Sequence, residues 1–307
     1  MTFVAGLDVG GTKTLGIVAD GAGRTVARIE LATRAGDAAT LLGFVARATT
    51  AIAQAAGLAV TELAAVGVGI PGLVDGPAGT VRNAVNLGLD GASVPLGEHV
   101  SRAAGVPAVV VNDVDAAAVG ASSLLGRPDL AYLSIGTGVA AGFVLDGRLR
   151  RGRRGASGEI GHLVVDPTGP ACACGQRGCL EALVAGPAIA RRWPSANGVS
   201  PATALTAAAT AGDAAAVALL TAIAGEVAAA VTLLALTVDP DVVVIGGGVT
   251  EAGPALAEAV TAALRARAQG SALLADLDLA ARLVLLAPER AAGAVGAALL
   301  ARQAVAV

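Results

Sequence analysis

The pattern of apolar and polar positions predicts strands that alternate with helices. An apolar run, "FVAGLDVG", ends in glycine at residues 3–10, and the segment at 14–31 holds two further apolar runs separated by the turn sequence "ADGAG". A helical stretch follows from about Ala38 to Ala56, and then come "AAVGVGIPG" and "PAVVVND", which each end in a glycine or polar tip. This alternation predicts an α/β sheet whose strand ends carry the chemistry.

Part of this pattern occurs twice. "VAGLDVGGTKTLGIVADG" at 4–21 aligns without a gap to "LAYLSIGTGVAAGFVLDG" at 130–147, and seven positions are identical. About two identities are expected by chance for such a composition, so we interpret the two segments as a duplicated hairpin. Two unrelated glycine turns between strands are the alternative. Duplication predicts two similar domains that face each other across a cleft, where small ligands bind.

The second half of the chain adds one more glycine-rich strand end. "DVVVIGGGVTEAG" at 241–253 is an apolar strand that runs into three glycines, before a helix that begins near Pro254. Backbone N–H groups and a helix N-terminus at such a point suit a nucleotide, although a plain tight turn fits equally well. The alanine-rich segment 201–235 predicts helix.

Composition excludes several classes of protein. The chain has 307 residues, of which 55% are hydrophobic and 15% charged, with a net charge of −3, so it can bury a sizeable core. Its arginines are scattered except for one cluster, so we expect no nucleic-acid partner. The clustered residues are Arg148, Arg150, Arg151, Arg153 and Arg154.

Neither a membrane span nor a secretory signal is expected. The stretch around Ala222 to Val238 contains Glu226, so it is better interpreted as a buried helix. The N-terminal apolar run is short, reaches a charge at Asp8 and lacks a basic region before it. The expected location is the cytoplasm, where thiols stay reduced.

All three cysteines lie in one short loop. Cys172, Cys174 and Cys179 are spaced with Gly175 and Gly178 between them, and His162 lies a little upstream. Three thiolates and an imidazole match a closed structural zinc site. A disulfide with a spare thiol and three ordinary buried cysteines are the alternatives, and an odd count in a cytoplasmic chain argues against the disulfide. We predict zinc.

Several of these motifs together resemble a known family. "LDVGGTKT", "GIPG", "VND", "GTGVAAG", "GEIGH", "CACGQRGCLE" and "VVVIGGGV" occur in this order, as in the ROK family of sugar kinases and sugar-responsive repressors, and particularly as in its bacterial glucokinases. The resemblance covers nearly all of the chain. It implies a duplicated actin-like ATPase (ribonuclease H-like) α/β fold with two domains around a central cleft. The expected small domain comprises residues 1–117 and a returning C-terminal helix within 290–307, and the large domain comprises 118–289 with the zinc loop.

The resemblance also implies an activity and a sugar site. Family kinases phosphorylate the 6-hydroxyl of a hexose with ATP and Mg²⁺, and Asp113 matches their general base. The residues alone leave open that Asn112 and Asp113 merely cap the helix that follows. The residues that match the sugar contacts are Gly72, Asn86, Asn112, Asp113, Glu159, His162 and Glu181, and His162 can serve both zinc and sugar because it has two ring nitrogens.

The predicted nucleotide-binding residues lie in both copies of the repeat and in the third glycine segment. By resemblance Asp8 directs hydrated Mg²⁺ while the two glycine turns hold phosphate. Lys13 adds charge there or faces solvent. The full set is Asp8, Gly10, Gly11, Thr12, Lys13, Gly136, Thr137, Gly138, Gly247 and Gly248.

Departures from the family pattern affect sugar selectivity. The segment "NLGLDGASVPL" lacks a tryptophan found in many family kinases, and Asp115 and Ala121 stand where Asn and Glu are common. The resemblance to glucokinases implies a glucose kinase, and the alternative is an N-acetylmannosamine or N-acetylglucosamine kinase. A non-catalytic sugar sensor is the alternative from another class, but Asp113 and the phosphate glycines are all present. By resemblance the expected assembly is a homodimer or homotetramer.

Overall fold

The computed structural model describes residues 2–196 and 198–305. The strands are Phe3–Val9 (β1), Lys13–Ala19 (β2), Thr25–Ala32 (β3), Leu63–Ile70 (β4), Leu73–Asp75 (β5), Thr80–Arg82 (β6), Ala108–Asn112 (β7), Leu130–Ile135 (β8), Val139–Leu145 (β9), Arg148–Leu149 (β10), Val242–Gly246 (β11) and Leu283–Leu285 (β12). The α-helices are Ala38–Ala55 (α1), Leu96–Ala104 (α2), Asp113–Leu125 (α3), Leu180–Val184 (α4), Gly186–Arg192 (α5), Pro201–Thr210 (α6), Ala214–Val238 (α7), Pro254–Gln269 (α8), Ala272–Leu277 (α9) and Ala292–Val305 (α10). Short 3₁₀ turns lie at Val60–Glu62, Val85–Leu87, Ile160–His162, Gly248–Ala252 and Pro288–Arg290.

The chain divides into two compact units. The first unit comprises Met1–Gly126, Arg151–Gly155 and Ala291–Val307, and the second comprises Arg127–Arg150 and Ala156–Arg290. The sequence-based boundary between residues 117 and 118 lies inside α3, and all of α3 belongs to the first unit because it packs along α10. Residues 1, 306 and 307 of the predicted small domain lie outside the described part of the chain.

The two units contain sheets of the same topology, which confirms the duplication predicted from the repeat. The first sheet has the order β3-β2-β1-β4-β7 and the second has the order β10-β9-β8-β11-β12. In each sheet the first three strands in chain order form an antiparallel meander. The fourth strand pairs parallel to the first strand of that meander, and the fifth pairs parallel to the fourth. The two repeated segments are β1–β2 and β8–β9, each a hairpin with a glycine turn.

Each unit has its own hydrophobic core. The first core packs α1 and α2 on one face of the first sheet, with Leu7, Ile52 and Ile70 fully buried. The second core is formed by α4 to α8 around the second sheet, with Leu133 and Ile245 buried. Alternating strand residues supply these cores because successive side chains point to opposite faces of a sheet.

The C-terminal helix α10 packs on the other face of the first sheet through backbone contacts. A Cβ at Gly6 of β1 or Gly67 of β4 would overlap with the carbonyl oxygens of Ala294 and Ala297 in α10. Helices α3 and α10 are equally close: a Cβ at Gly120 of α3 would overlap with Ala292 O, and a Cβ at Gly296 of α10 would overlap with Ala116 O. Glycine at these positions lets helix and strand backbones touch, so a larger residue would force them apart.

Two helical segments refine the sequence-based picture. The segment 201–235 is helical, as predicted, except at residues 211–213 between α6 and α7. Gly212 there has a φ of +87°, and Asp213 accepts hydrogen bonds from Ala215 N and Ala216 N as the N-cap of α7. Helix α7 is long and apolar enough to cross a membrane by length and composition. It packs within the second core with Ile223, Val227 and Val231 buried, as expected for a core helix.

The glycine contacts of α10 predict the outcome of a matched pair of substitutions. Gly67→Ala should destabilise the protein by about 3 kcal/mol or more, because its methyl group overlaps with a helix backbone that cannot yield. Gly43→Ala in α1 meets only the flexible end of Arg47, at 3.2 Å, and should be neutral or stabilising by about 0.5–1 kcal/mol. Chemical denaturation of both variants measures the difference, and equal stability would contradict this role of Gly67.

Candidate functional site

Two acidic residues lie at the carboxyl edge of the first sheet. Asp8 is the penultimate residue of β1, and Asp113 follows β7 as the first residue of α3. Strands β1, β4 and β7 are parallel neighbours, so their carboxyl ends meet at one edge. Burial and, to a lesser extent, the negative charge of Asp113 raise the pKa of Asp8 to about 7, against the opposing effect of the positive charge of Lys13.

The start of α10 closes one side of Asp8. A Cβ at Gly293 would overlap with the carboxylate of Asp8, so the second residue of this helix leaves room for the acid only because it is glycine. This contact was not predicted from the sequence. The only signal for it is the run of small residues in "AAGAVGAA" at 291–298, which also fits ordinary helix packing.

Asn112 has the capping role that the sequence left open. Its side-chain oxygen accepts hydrogen bonds from Val114 N at 3.0 Å and Asp115 N at 3.2 Å, and its amide nitrogen donates to Gly72 O at 3.2 Å. Asp113 Oδ1 accepts from Val114 N at 3.0 Å. Gly72 has a φ of +104°, and a Cβ there would lie 2.7 Å from Arg82 O, so its close approach is to the backbone of the β5–β6 hairpin.

The glycine turn of the first copy lies between β1 and β2. Gly10 N donates to Lys13 O at 3.0 Å, and Thr12 O accepts from Thr33 N at 2.9 Å. Asn86 lies against Gly11, where a Cβ would be 3.3 Å from the Cβ of Asn86. The exposed ammonium of Lys13 lies 3.9 Å from the Glu30 carboxylate, so the structure gives this lysine a solvent-side partner.

The glycine turn of the second copy lies beside the third glycine segment. Gly136 N donates to Gly138 O at 2.9 Å across Thr137. A Cβ at Gly136 would lie 3.7 Å from Gly248 N. Gly247 has a φ of +83°, and a Cβ there would lie 2.5 Å from Ile135 O, so both conformation and space require glycine. The second unit thus brings all five of its predicted nucleotide residues together.

The four predicted metal ligands form one cluster. The ligand atoms of His162, Cys172, Cys174 and Cys179 all lie within 4.8 Å of one another. The Cys174 and Cys179 sulfurs are 3.6 Å apart, and the Cys172 sulfur is 3.8 Å from His162 Nδ1. Ligands at the corners of a zinc tetrahedron with Zn–S bonds of about 2.3 Å are separated by about 3.8 Å. The donor set and its spacing therefore fit Zn²⁺.

Tight backbone turns bring the sulfurs together. Cys172 N donates to Gln176 O at 2.8 Å and Gly175 N donates to Cys172 O at 3.0 Å, with Gly175 at a φ of +93°. Gly178, at a φ of +69°, packs directly on the backbone of Asp166. Both glycines therefore let the backbone fold so that the three sulfurs converge.

Gln176 is a member of the cluster that sequence reasoning missed. Its amide nitrogen donates to His162 O at 3.1 Å and lies 3.5 Å from the Cys174 sulfur and 3.8 Å from the Cys179 sulfur. The backbone and amide N–H groups of Gln176 lower the pKa of Cys174 to about 6, whereas burial raises the pKa of Cys179. Such donors stabilise thiolate, the form that binds metal.

Two predicted sugar carboxylates flank the cluster. Glu159 precedes the turn that holds His162 and is exposed. Glu181 follows Cys179 in α4, and its Oε2 accepts a hydrogen bond from Val139 N at 3.0 Å. The predicted sugar residues are thus divided between the units, with Glu159, His162 and Glu181 in the second. The first unit holds Gly72, Asn86, Asn112 and Asp113.

Comparison with known proteins gives consistent results. The ROK family model matches residues 4–304. A glucokinase from Halalkalibacterium halodurans is 31% identical over 83% of this chain and 82% of its own length. An N-acetylmannosamine kinase from Yersinia pseudotuberculosis is 32% identical over 79% of this chain and 82% of its own length.

Solved structures match over nearly the full length. A ROK family glucokinase from Streptomyces griseus, in complex with glucose and AMPPNP, superposes with a TM-score of 0.82 at 31% identity, covering 98% of this chain and 99% of that one. The matching sheets, the family model and these relatives lead to one conclusion: this chain belongs to the ROK family and has its actin-like ATPase fold.

Proposed function

We propose that this ROK protein is an ATP-dependent hexose kinase that transfers the γ-phosphoryl group of ATP to the 6-hydroxyl of glucose. The observation that carries the proposal is the acid pair, Asp8 and Asp113, at the carboxyl edge of the first sheet. The glucokinase relative and the glucokinase solved with glucose and AMPPNP support the same activity.

Asp113 is the general base of this proposal. Its carboxylate accepts the proton of the sugar hydroxyl as that oxygen bonds to the γ-phosphorus and the bond to the β-phosphate oxygen breaks, releasing ADP. The bond from Val114 N to Asp113 Oδ1 fixes the carboxylate at the start of α3. Asn112 caps the same helix, so the base sits on a rigid element.

Asp8 is suited to hold hydrated Mg²⁺. The negative charges of Asp8 and Asp113 repel each other, and a divalent cation would relieve that repulsion. Two carboxylates are also oxygen ligands of the kind that Mg²⁺ prefers, so the donor chemistry fits this ion. When bound, Mg²⁺ neutralises the charge on the phosphates. The role of the protein is to keep Asp8 in place, through β1 on one side and Gly293 on the other.

The glycine turns supply backbone donors for phosphate. In the second unit Gly136, Thr137 and Gly138 lie beside Gly247 and Gly248, where strands β8 and β11 end. In the first unit Gly10, Gly11 and Thr12 form the equivalent turn next to Asp8. Clustered N–H groups at strand ends form concave sites that bind anions, as a triphosphate requires.

The zinc loop is proposed to support the sugar ligands. Zn²⁺ held by His162 and the three cysteines would order a glycine-rich loop without taking part in the reaction. With one ring nitrogen of His162 on the metal, the other is free to bond a sugar hydroxyl. Glu159 and Glu181, two of the predicted sugar ligands, lie on either side of this loop in the sequence.

An N-acetylhexosamine kinase is the second candidate, favoured by one observation. The N-acetylmannosamine kinase relative is as similar to this chain as the glucokinase relative is. The two activities differ in the room that the pocket leaves at the second carbon of the sugar. The cytoplasmic location and the homodimer or homotetramer stay predictions of the sequence.

The base assignment predicts the effect of one isosteric change. Asp113→Asn should lower kcat by about 10²–10⁴-fold, because the amide cannot accept the hydroxyl proton. The exposed Asp276→Asn in α9 is the matched control and should retain wild-type turnover. ADP release coupled to a reporter enzyme measures both, and unchanged turnover in Asp113→Asn would remove the residue from this role.

The metal assignment predicts zinc content. Purified protein should contain about one zinc per chain by plasma emission, and Cys174→Ser and His162→Ala should each lower that value, because a closed site needs all four ligands. The other histidine of the chain, His99 in α2, provides the control: His99→Ala should leave the zinc content unchanged. Full zinc content in His162→Ala would contradict the ligand set.

The sugar assignment predicts an order of substrates. Turnover should have a higher kcat/KM with glucose than with mannose, fructose, N-acetylglucosamine or N-acetylmannosamine in the same assay. We expect about a tenfold preference, which corresponds to about 1.4 kcal/mol of transition-state binding. A higher kcat/KM with N-acetylmannosamine would select the second candidate, and no turnover on any sugar would refute both.

A further inference from the structure

We propose that Glu181 positions the phosphate-binding turn of the second unit, in addition to its expected contact with the sugar. The inference rests on the proposed function, in which the Gly136–Gly138 turn holds phosphate groups of ATP. It makes Glu181 a positioning residue for the nucleotide. A sugar ligand alone would have no effect on nucleotide binding in the absence of sugar.

The first observation is a hydrogen bond between Glu181, which follows the zinc loop, and the end of the Gly136–Gly138 turn. Glu181 Oε2 accepts a hydrogen bond from Val139 N at 3.0 Å, and Val139 is the residue directly after Gly138. Val139 is only 3% exposed, so water competes little for its N–H group. A hydrogen bond to a charged acceptor in such a place is stronger than one to a neutral acceptor.

The second observation concerns the space beside the turn. A Cβ at Gly138 would lie 2.7 Å from Glu181 Oε2. The carboxylate therefore fills the space that a side chain at position 138 would need. Glycine at position 138 therefore leaves room for the Glu181 carboxylate beside the turn, and a larger residue there would displace that carboxylate.

Other contacts show that the same turn is held on several sides. Gly186 N, just beyond α4, donates to Gly136 O at 2.7 Å. Gly161, next to His162, packs directly on the backbone of Val139. Helix α4 and the 3₁₀ turn Ile160–His162, which lie against the start of β9, also carry proposed zinc ligands. Cys179 is the N-cap of α4, and His162 is the last residue of the 3₁₀ turn.

The first copy of the repeat provides an internal comparison. Lys13 occupies the position equivalent to Val139, and within the described residues no side chain accepts a hydrogen bond from its N–H group. There Gly10 N donates to Lys13 O, whereas Gly136 N donates to Gly138 O, one residue earlier in the turn. The tighter turn occurs in the copy that has the carboxylate.

Glu181 has a second oxygen for the sugar. Oε2 is engaged by Val139 N, and a carboxylate can accept further bonds at its other oxygen. One side chain can thus contact a sugar hydroxyl and fix the turn that holds phosphate. Removing it should weaken sugar and nucleotide binding separately.

Titration calorimetry with ATP and Mg²⁺, without any sugar, tests the inference. Glu181→Ala should raise the Kd for ATP about tenfold, as expected for loss of one charge-assisted bond. Glu181→Gln should stay within about twofold of wild type, because its amide oxygen can still accept from Val139 N. Glu159→Ala is the matched control: it removes another predicted sugar carboxylate whose side chain makes no hydrogen bond among the described residues, and it should leave the Kd for ATP unchanged.

The outcomes separate this inference from the proposed function. A wild-type Kd for ATP in Glu181→Ala overturns the inference, and so does an equal loss of affinity in Glu159→Ala. Zinc content should be unchanged in Glu181→Ala, and its loss would mean that the effect runs through the metal loop instead. If Glu181→Ala fails to fold, Glu181→Asp replaces it, because aspartate keeps the charge but lacks the reach. Wild-type protein that binds no ATP would refute the proposed function itself.

Discussion

Direct contact between backbones at glycine is the constraint on which the first unit depends. Helix α10 lies on β1, β4 and α3 at a distance that only glycine allows, at Gly6, Gly67, Gly120 and Gly296. The same helix begins beside Asp8 and packs along α3, which carries Asp113 at its first residue. The positions of both acids therefore follow from one packing arrangement, in which even a methyl group would disturb the spacing.

The second unit applies the same constraint around β9. Gly158 and Gly161 pack on the backbone of Ala141 and Val139, and Gly178 packs on Asp166 within the loop that carries the three cysteines. These contacts tie the loop that carries the metal ligands to the hairpin that carries the second glycine turn. In this unit the cluster of candidate metal ligands and the glycine turn proposed to bind phosphate are parts of one packed structure.

The parts of this structure that the sequence predicted are those with a local signal. Apolar runs ending in glycine marked the strands, the gapless repeat marked the duplicated sheets, and four ligands close in the chain marked the metal cluster. Contacts between distant segments carried no such signal. The approach of Gly293 to Asp8 and the bond from Val139 to Glu181 exist only once the helices pack. The alanine-rich sequence likewise predicts helix at residues 211–213. In the structure Gly212 and the N-cap at Asp213 interrupt the helix there.

The central claim is that this protein moves a phosphoryl group from ATP to the 6-hydroxyl of a hexose. Phosphorus NMR of a reaction with ATP, Mg²⁺ and glucose tests it most directly, with 6-deoxyglucose in a parallel reaction. Transfer to the 6-hydroxyl should yield ADP and a phosphate ester on the sixth carbon of glucose, with no ester formed on 6-deoxyglucose. Inorganic phosphate without a sugar ester, or an ester at another carbon, would contradict it.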